Sequence, residues 1–126
     1  MRIVVADDHP VMRRGLMELI SCEPGVCVIG EASDGVEAVE LARHLHPDLV
    51  LMDVNMPEMN GIEATAIIKS EFPEVQVVAI SMYEDPQVIE EMLQAGASAY
   101  IVKGESLDKL LEVLRSDPAD TTEVTA

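Results

Sequence analysis

Leu49-Val50-Leu51-Met52-Asp53-Val54-Asn55-Met56-Pro57 is the stretch on which the fold turns. Residues 49–52 form an apolar run with no alternation, too short for a helix. Such a run suits a strand covered on both faces, as in a parallel sheet. An aspartate closes it, and Pro57 marks a turn soon after.

Four further runs of the same kind lie on either side, at residues 3–6, 26–30, 75–80 and 99–102. Helical spacing fills the intervals between them. Ala38, Leu41, Ala42 and Leu45 recur at i, i+3, i+4 and i+7, behind Asp34 as N-cap with Glu37 three residues on. Leu107, Leu110, Leu111 and Leu114 repeat that spacing behind Ser106, and Val88, Met92 and Ala95 do so more loosely before Gly96 offers a stop. Pro10 stands where a first helix begins, which its missing N–H tolerates. A third helix spans about 61–71 and ends before Pro73. Alternation of strand and helix at this length predicts a doubly wound α/β fold, (βα)5. Its five-stranded parallel sheet is expected in the flavodoxin-like order 2-1-3-4-5. The pattern covers 1–115, and the polar segment 116–126 reads as a tail or the start of a linker.

Composition narrows the function. The 126 residues suffice for one domain with a real core, drawn from aliphatic residues and Met because Phe72, Tyr83 and Tyr100 are the only aromatics. Eight basic against 24 acidic residues give a formal charge of −16. Such a surface repels phosphate backbones, so no nucleic-acid contact by this domain is expected. Cys22 and Cys27 lack CxxC spacing and a His pair, which argues against a zinc site or a disulfide. No apolar stretch approaches the ~20 residues of a membrane span, and no leader pattern precedes the first run. A soluble cytoplasmic protein without a membrane partner is expected.

In such a fold ligands gather beyond the carboxyl ends of the strands. There the sequence places Asp7-Asp8 after the first run, Asp53 after the third, Ser81 after the fourth and Lys103 after the fifth. Three carboxylates at close range repel one another unless a cation intervenes. Mg²⁺ fits this set, since it takes one or two carboxylates together with waters and a substrate phosphate. Lys103 adds a compact positive charge for phosphate oxygens, and Ser81 a hydroxyl. A carboxylate can attack phosphorus to form an acyl phosphate, with the cations stabilising an in-line transfer.

The residues Val5-Ala6-Asp7-Asp8-His9-Pro10, Leu51-Met52-Asp53-Val54-Asn55-Met56-Pro57, Asn60-Gly61, Ser81-Met82-Tyr83 and 95–103 resemble a response-regulator receiver domain of the NarL/FixJ (LuxR-like) type. The likeness runs from about residue 2 to 115. It implies that Asp53 accepts a phosphoryl group from a sensor histidine kinase. It further implies Mg²⁺ held by Asp8, Asp53 and the backbone carbonyl of Asn55, with Asp7 acting through water. Lys103 matches the family's phosphate-contacting lysine, and Ser81 and Tyr100 occupy its switch pair. Movement of Ser81 toward the phosphate would then alter the face made by the fourth helix, fifth strand and fifth helix. The resemblance also implies homodimerisation on phosphorylation. An output in transcription would follow through a helix-turn-helix DNA-binding domain joined by the segment 116–126. Such a chain is a switch rather than an enzyme, catalysing only its own phosphoryl uptake and loss. Many receivers carry proline after the lysine; Gly104 stands here and leaves that loop's geometry open.

Other residues have plainer readings. His9 is a loop residue beside the acidic pair, and His44 and His46 suit a helix C-terminus. Gly61 and Pro57 form the turn after Asp53, the methionines fill the core, and Tyr83 is a half-buried loop residue. A haloacid-dehalogenase-like phosphatase would need an aspartate where Asn55 stands, and a flavodoxin would present hydroxyls and N–H groups where Asp7-Asp8 stand. A phosphate-independent pseudo-receiver would lack one of the acidic residues or the lysine.

Overall fold

Successive residues of a strand point to opposite faces of its sheet, so an unbroken apolar run feeds two cores at once. The computed structural model, which describes residues 1–103 and 108–115, is organised around that fact. Its strands are β1 (Arg2–Ala6), β2 (Cys27–Ala32), β3 (Leu49–Asp53), β4 (Gln76–Ser81) and β5 (Ala99–Val102). The helices are α1 (Pro10–Ser21), α2 (Gly35–Leu45), α3 (Gly61–Glu71), α4 (Pro86–Ala95) and α5 (Asp108–Arg115). All strand pairs are parallel, in the expected order β2-β1-β3-β4-β5.

Val4, Val50, Met52 and Val77 point to the side covered by α2, α3 and α4, where they meet Ala38, Ile68 and Met92. Ile3, Val5, Leu51 and Ile80 point to the side covered by α1 and α5, against Leu16, Ile20 and Leu110. The run reading holds fully for β1, β3 and β4, which are buried almost end to end. It fails for β2 and β5, whose residues are mostly half-buried. They are the sheet's two edges, with a neighbouring strand on one side only.

Local signals account for the helix ends. Asp34 Oδ1 accepts from the Glu37 amide at 2.8 Å, as an N-cap does. The Glu37 carboxylate bonds the Ser33 hydroxyl rather than closing the box on Asp34. Asn60 and Asp85 cap α3 and α4 in the same way, and Pro10 and Pro86 open α1 and α4. Gly96 ends α4 in the left-handed region, at φ 118°. The proposed cap Ser106, the apolar position Leu107, the loop at Gly104 and the segment 116–126 lie outside the described residues.

The strand order sets β1 beside β3. The helix after β1 packs on one face of the sheet and the helix after β3 on the other. The chain parts between them, and a crevice opens beyond their carboxyl ends.

Candidate functional site

Asp7 follows β1 directly, its amide still held by the Ala32 carbonyl of β2 at 3.0 Å. It has no exposed surface, and both carboxylate oxygens are engaged. Oδ1 accepts from the His9 amide at 2.9 Å and Oδ2 from Lys103 Nζ at 2.7 Å. Lys103, just past β5, is almost fully buried and lies 3.5 Å from Asp53 Oδ2. Asp53 ends β3 with 3% of its surface exposed. Asp8 differs from both: its Oδ1 is buried and receives no hydrogen bond.

Ligand atoms of Asp7, Asp8, Asp53 and His9 all lie within 4.8 Å of one another. His9, expected as a loop residue beside the acidic pair, is the fourth member of this cluster. It stands at the N-cap position of α1 with its ring largely exposed, and its Nδ1 lies 3.0 Å from Asp8 Oδ1. Hard oxygen donors, one of them buried and accepting no hydrogen bond, suit a divalent cation such as Mg²⁺. Asn55, whose carbonyl is a ligand by the family resemblance, is exposed just beyond β3.

Burial pushes the Asp53 carboxyl up to about 7; the Lys103 charge opposes this, while the Asp7 and Asp8 charges add to it. The consequence for stability has a definite sign. Below the ordinary carboxyl range, Asp53 is protonated whether folded or unfolded. Between that range and about pH 7 the folded chain keeps a proton that the unfolded chain has lost, so raising the pH favours unfolding. Above about 7 both forms are ionised and the slope vanishes. Metal-free protein should therefore lose urea resistance from pH 5 to pH 8, and Asp53→Asn should flatten that decline. An equal decline in both chains would assign it to other groups.

The turn after Asp53 depends on close backbone contact. The Gly61 amide donates to the Val54 carbonyl at 2.8 Å. A Cβ on Gly61 would lie 2.2 Å from the Asp53 carbonyl oxygen and 2.9 Å from Val54 Cα. Neither neighbour is a flexible side chain, so the backbone itself must move. Gly61→Ala should cost about 1–3 kcal/mol by overpacking and displace Asp53. Urea unfolding would read the first effect and phosphoryl uptake the second. A Gly61→Ala chain with wild-type values in both would refute this role.

Ser81, at the end of β4, is buried, and its Oγ accepts from the Tyr83 amide at 3.2 Å. The Tyr100 hydroxyl donates to the Tyr83 carbonyl at 2.9 Å, with its ring half-buried against the α4 side of the sheet. Ser81 and Tyr100 are thus joined through the backbone of one residue. The half-buried placement expected for the Tyr83 side chain is wrong: it is 69% exposed. Its backbone is what joins Ser81 to Tyr100, a link that no side-chain pattern reveals. Cys22 and Cys27 are free and exposed. Among the described residues, no helix is long and apolar enough to cross a membrane.

A sequence model described as the response regulator receiver domain matches residues 3–115. The transcriptional regulatory protein DegU of Brevibacillus brevis is 38% identical over 114 residues, covering 90% of this chain and 48% of that protein. A protein-glutamate methylesterase/protein-glutamine glutaminase of Myxococcus xanthus is 49% identical over 104 residues, covering 82% of this chain and 30% of that protein. The chain thus spans about half or less of the length of these relatives. Among solved structures, a LuxR-family two-component response regulator from Aurantimonas sp. SI85-9A1 superposes with a TM-score of 0.86 at 32% identity. That match covers 98% of this chain and 94% of the other.

Proposed function

This chain belongs to the response regulator receiver domain family, and on that premise we propose that it takes a phosphoryl group on Asp53 with Mg²⁺ held beside it. Receiver domains bind Mg²⁺ at an acidic pocket, and the cluster of Asp7, Asp8 and Asp53 fits that role. One observation carries the reading. A buried lysine lies 3.5 Å from the candidate nucleophile, while a buried Asp8 oxygen accepts no hydrogen bond and has the exposed His9 ring beside it at 3.0 Å. That arrangement suits a second cation and an incoming anionic group.

The transfer is an in-line displacement. An Asp53 carboxylate oxygen bonds to the phosphorus of a phosphohistidine, the P–N bond breaks, and the imidazole leaves with the electron pair. Mg²⁺, when bound, neutralises charge on the phosphoryl oxygens and the surrounding carboxylates. Asp8 and Asp53 would supply its carboxylate ligands, and the Asn55 carbonyl a further one. Asp7 has both oxygens engaged and acts at one remove. Lys103 Nζ is placed to reach a phosphoryl oxygen on Asp53. Release of this carboxyl's proton, held up to about pH 7 by burial, accompanies metal binding.

Ser81 Oγ offers a hydrogen bond to a further phosphoryl oxygen. Taking it there withdraws the acceptor from the Tyr83 amide and loosens the backbone that Tyr100 holds. The face of α4, β5 and α5 then shifts between discrete packings. Beryllofluoride with Mg²⁺ should move the amide resonances of residues 53–56, 81–83 and 99–103 in the wild type and leave them in place in Asp53→Asn. Tyr100→Ala should still take up phosphoryl groups but lose the response on α4 and β5. Wild-type resonances that stay put would refute the site, and an intact α4 response in Tyr100→Ala would refute the switch.

A groove of ≈ 470 Å³, lined by His9, Val11, Met12, Gly15, Met82 and Lys103, opens beside the pocket. Val11 and Met82 are exposed apolar residues there, which supports docking of a protein donor, a sensor histidine kinase. Residues 1–115 act as the receiver unit and 116–126 as the start of a connection to an output domain. DegU is by name a transcriptional regulator, and the same class of output, through a DNA-binding domain and phosphorylation-dependent dimerisation in the cytoplasm, is the reading carried to this chain.

A further inference from the structure

Asp8 Oδ1 accepts no hydrogen bond and has the largely exposed His9 ring beside it at 3.0 Å, yet a metal ligand must be placed before the metal arrives. Its position is set by the two peptide groups on either side, each a rigid plane. The plane between Asp8 and His9 is fixed by the His9 amide donating to Asp7 Oδ1 at 2.9 Å. The plane between Asp7 and Asp8 carries the Asp7 carbonyl. That carbonyl accepts from Arg13 Nη1 at 2.7 Å.

Arg13 lies in the first turns of α1, where its own amide donates to the His9 carbonyl at 2.8 Å. Its side chain is only 15% exposed. The guanidinium is held from the far side as well, Nε donating to Glu31 Oε1 of β2 at 2.9 Å. One planar fork therefore ties α1, the edge strand and the peptide group leading into Asp8. We propose that Arg13, braced by Glu31, is a positioning residue that orients the Asp7–Asp8 peptide and thereby aims the Asp8 carboxylate at the metal. This rests on the reading of the pocket as a Mg²⁺-dependent phosphoryl acceptor. Arg13 bonds the Asp7 carbonyl and Glu31 rather than a carboxylate of the pocket, so its removal should weaken metal binding while leaving the reacting groups in place.

The test follows uptake from acetyl phosphate by intact mass across a Mg²⁺ series, with Mg²⁺ affinity taken separately by calorimetry. Arg13→Gln should raise the half-saturating Mg²⁺ concentration on the order of 10-fold, as loss of an outer support does, with the rate at saturating Mg²⁺ retained. Arg13→Lys, which keeps one donor but not the fork, should recover part of the shift. Glu31→Gln, at a half-exposed carboxylate, should show a smaller shift in the same direction and serves if Arg13→Gln does not fold. Arg43→Gln, which breaks only the exposed pair with Glu71, should leave the Mg²⁺ dependence unchanged. Half-saturation unaltered in folded Arg13→Gln, or in Glu31→Gln where the former does not fold, would overturn the proposal. So would a lost rate at saturating Mg²⁺ with half-saturation intact, since that would place Arg13 in the chemistry. Wild type that binds Mg²⁺ but takes up no phosphoryl group would instead refute the acceptor reading, and the calorimetric comparison would still decide the role of Arg13.

Discussion

Asp53→Asn is expected to take up no phosphoryl group at any Mg²⁺ concentration, and to melt higher than the wild-type chain at pH 8 in EDTA. The first outcome follows from chemistry: an amide lacks the carboxylate oxygen that attacks phosphorus. The second follows from the environment. Asp53 is buried, and at pH 8 it is ionised against a carboxyl pushed up to about 7. The amide keeps the shape and removes the charge, while the Asp7–Lys103 pair stays intact. A gain of about 4 °C or more corresponds to roughly 1 kcal/mol in a domain of this size. Uptake that persists in Asp53→Asn would move the acceptor elsewhere. A lower melting temperature would mean that the Lys103 charge outweighs burial at this carboxyl.

Lys103→Met is expected to carry the largest cost in stability. Lys103 and Asp7 are both buried and 2.7 Å apart. Removing the cation leaves a carboxylate with no exposed surface and without the charge bonded to its Oδ2, a change worth about 3–5 kcal/mol. Two signatures separate this from ordinary loss of packing. Urea resistance should recover in part when Mg²⁺ is added, because the ion brings charge back to the carboxylates. It should also recover on acidification, as the buried Asp53 carboxyl, no longer opposed by the Lys103 charge, takes up its proton. Uptake at saturating Mg²⁺ should fall about 10²–10³-fold for want of a positive charge at the phosphoryl oxygens. A Lys103→Met chain as stable as wild type, without Mg²⁺ at pH 8, would contradict the burial account of this pair.

Much of this site is legible in the sequence for a simple reason. Asp7, Asp53, Ser81 and Lys103 each stand at the end of an apolar run, and parallel strands bring all such ends to one side of the sheet. Spacing therefore suffices to bring them together. The strand order is legible too, since alternating strands and helices leave few ways of winding. What a run does not carry is its place in the sheet: residues 26–30 read much as residues 49–52 do, yet one strand lies at the edge and the other at the centre. Tyr83 shows a second limit. Its ring points to solvent while its amide and carbonyl link Ser81 to Tyr100, and backbone groups leave no mark in composition. Arg13 shows a third. Its sequence position suits a solvated helix face, and only the path of its long side chain takes it to the Asp7 carbonyl. Gly61 is readable as a turn residue, but the reason it admits no Cβ is the approach of the Asp53 carbonyl.

Phosphoryl transfer to this chain should make an acyl phosphate of Asp53. Borohydride reduction of the acetyl phosphate-treated chain, with and without Mg²⁺, converts an aspartyl phosphate to homoserine, which tandem mass spectrometry of the digested chain locates. Homoserine at position 53, dependent on Mg²⁺, is the expected result. Homoserine at another aspartate, or none in a chain that still gains phosphoryl mass, would contradict it.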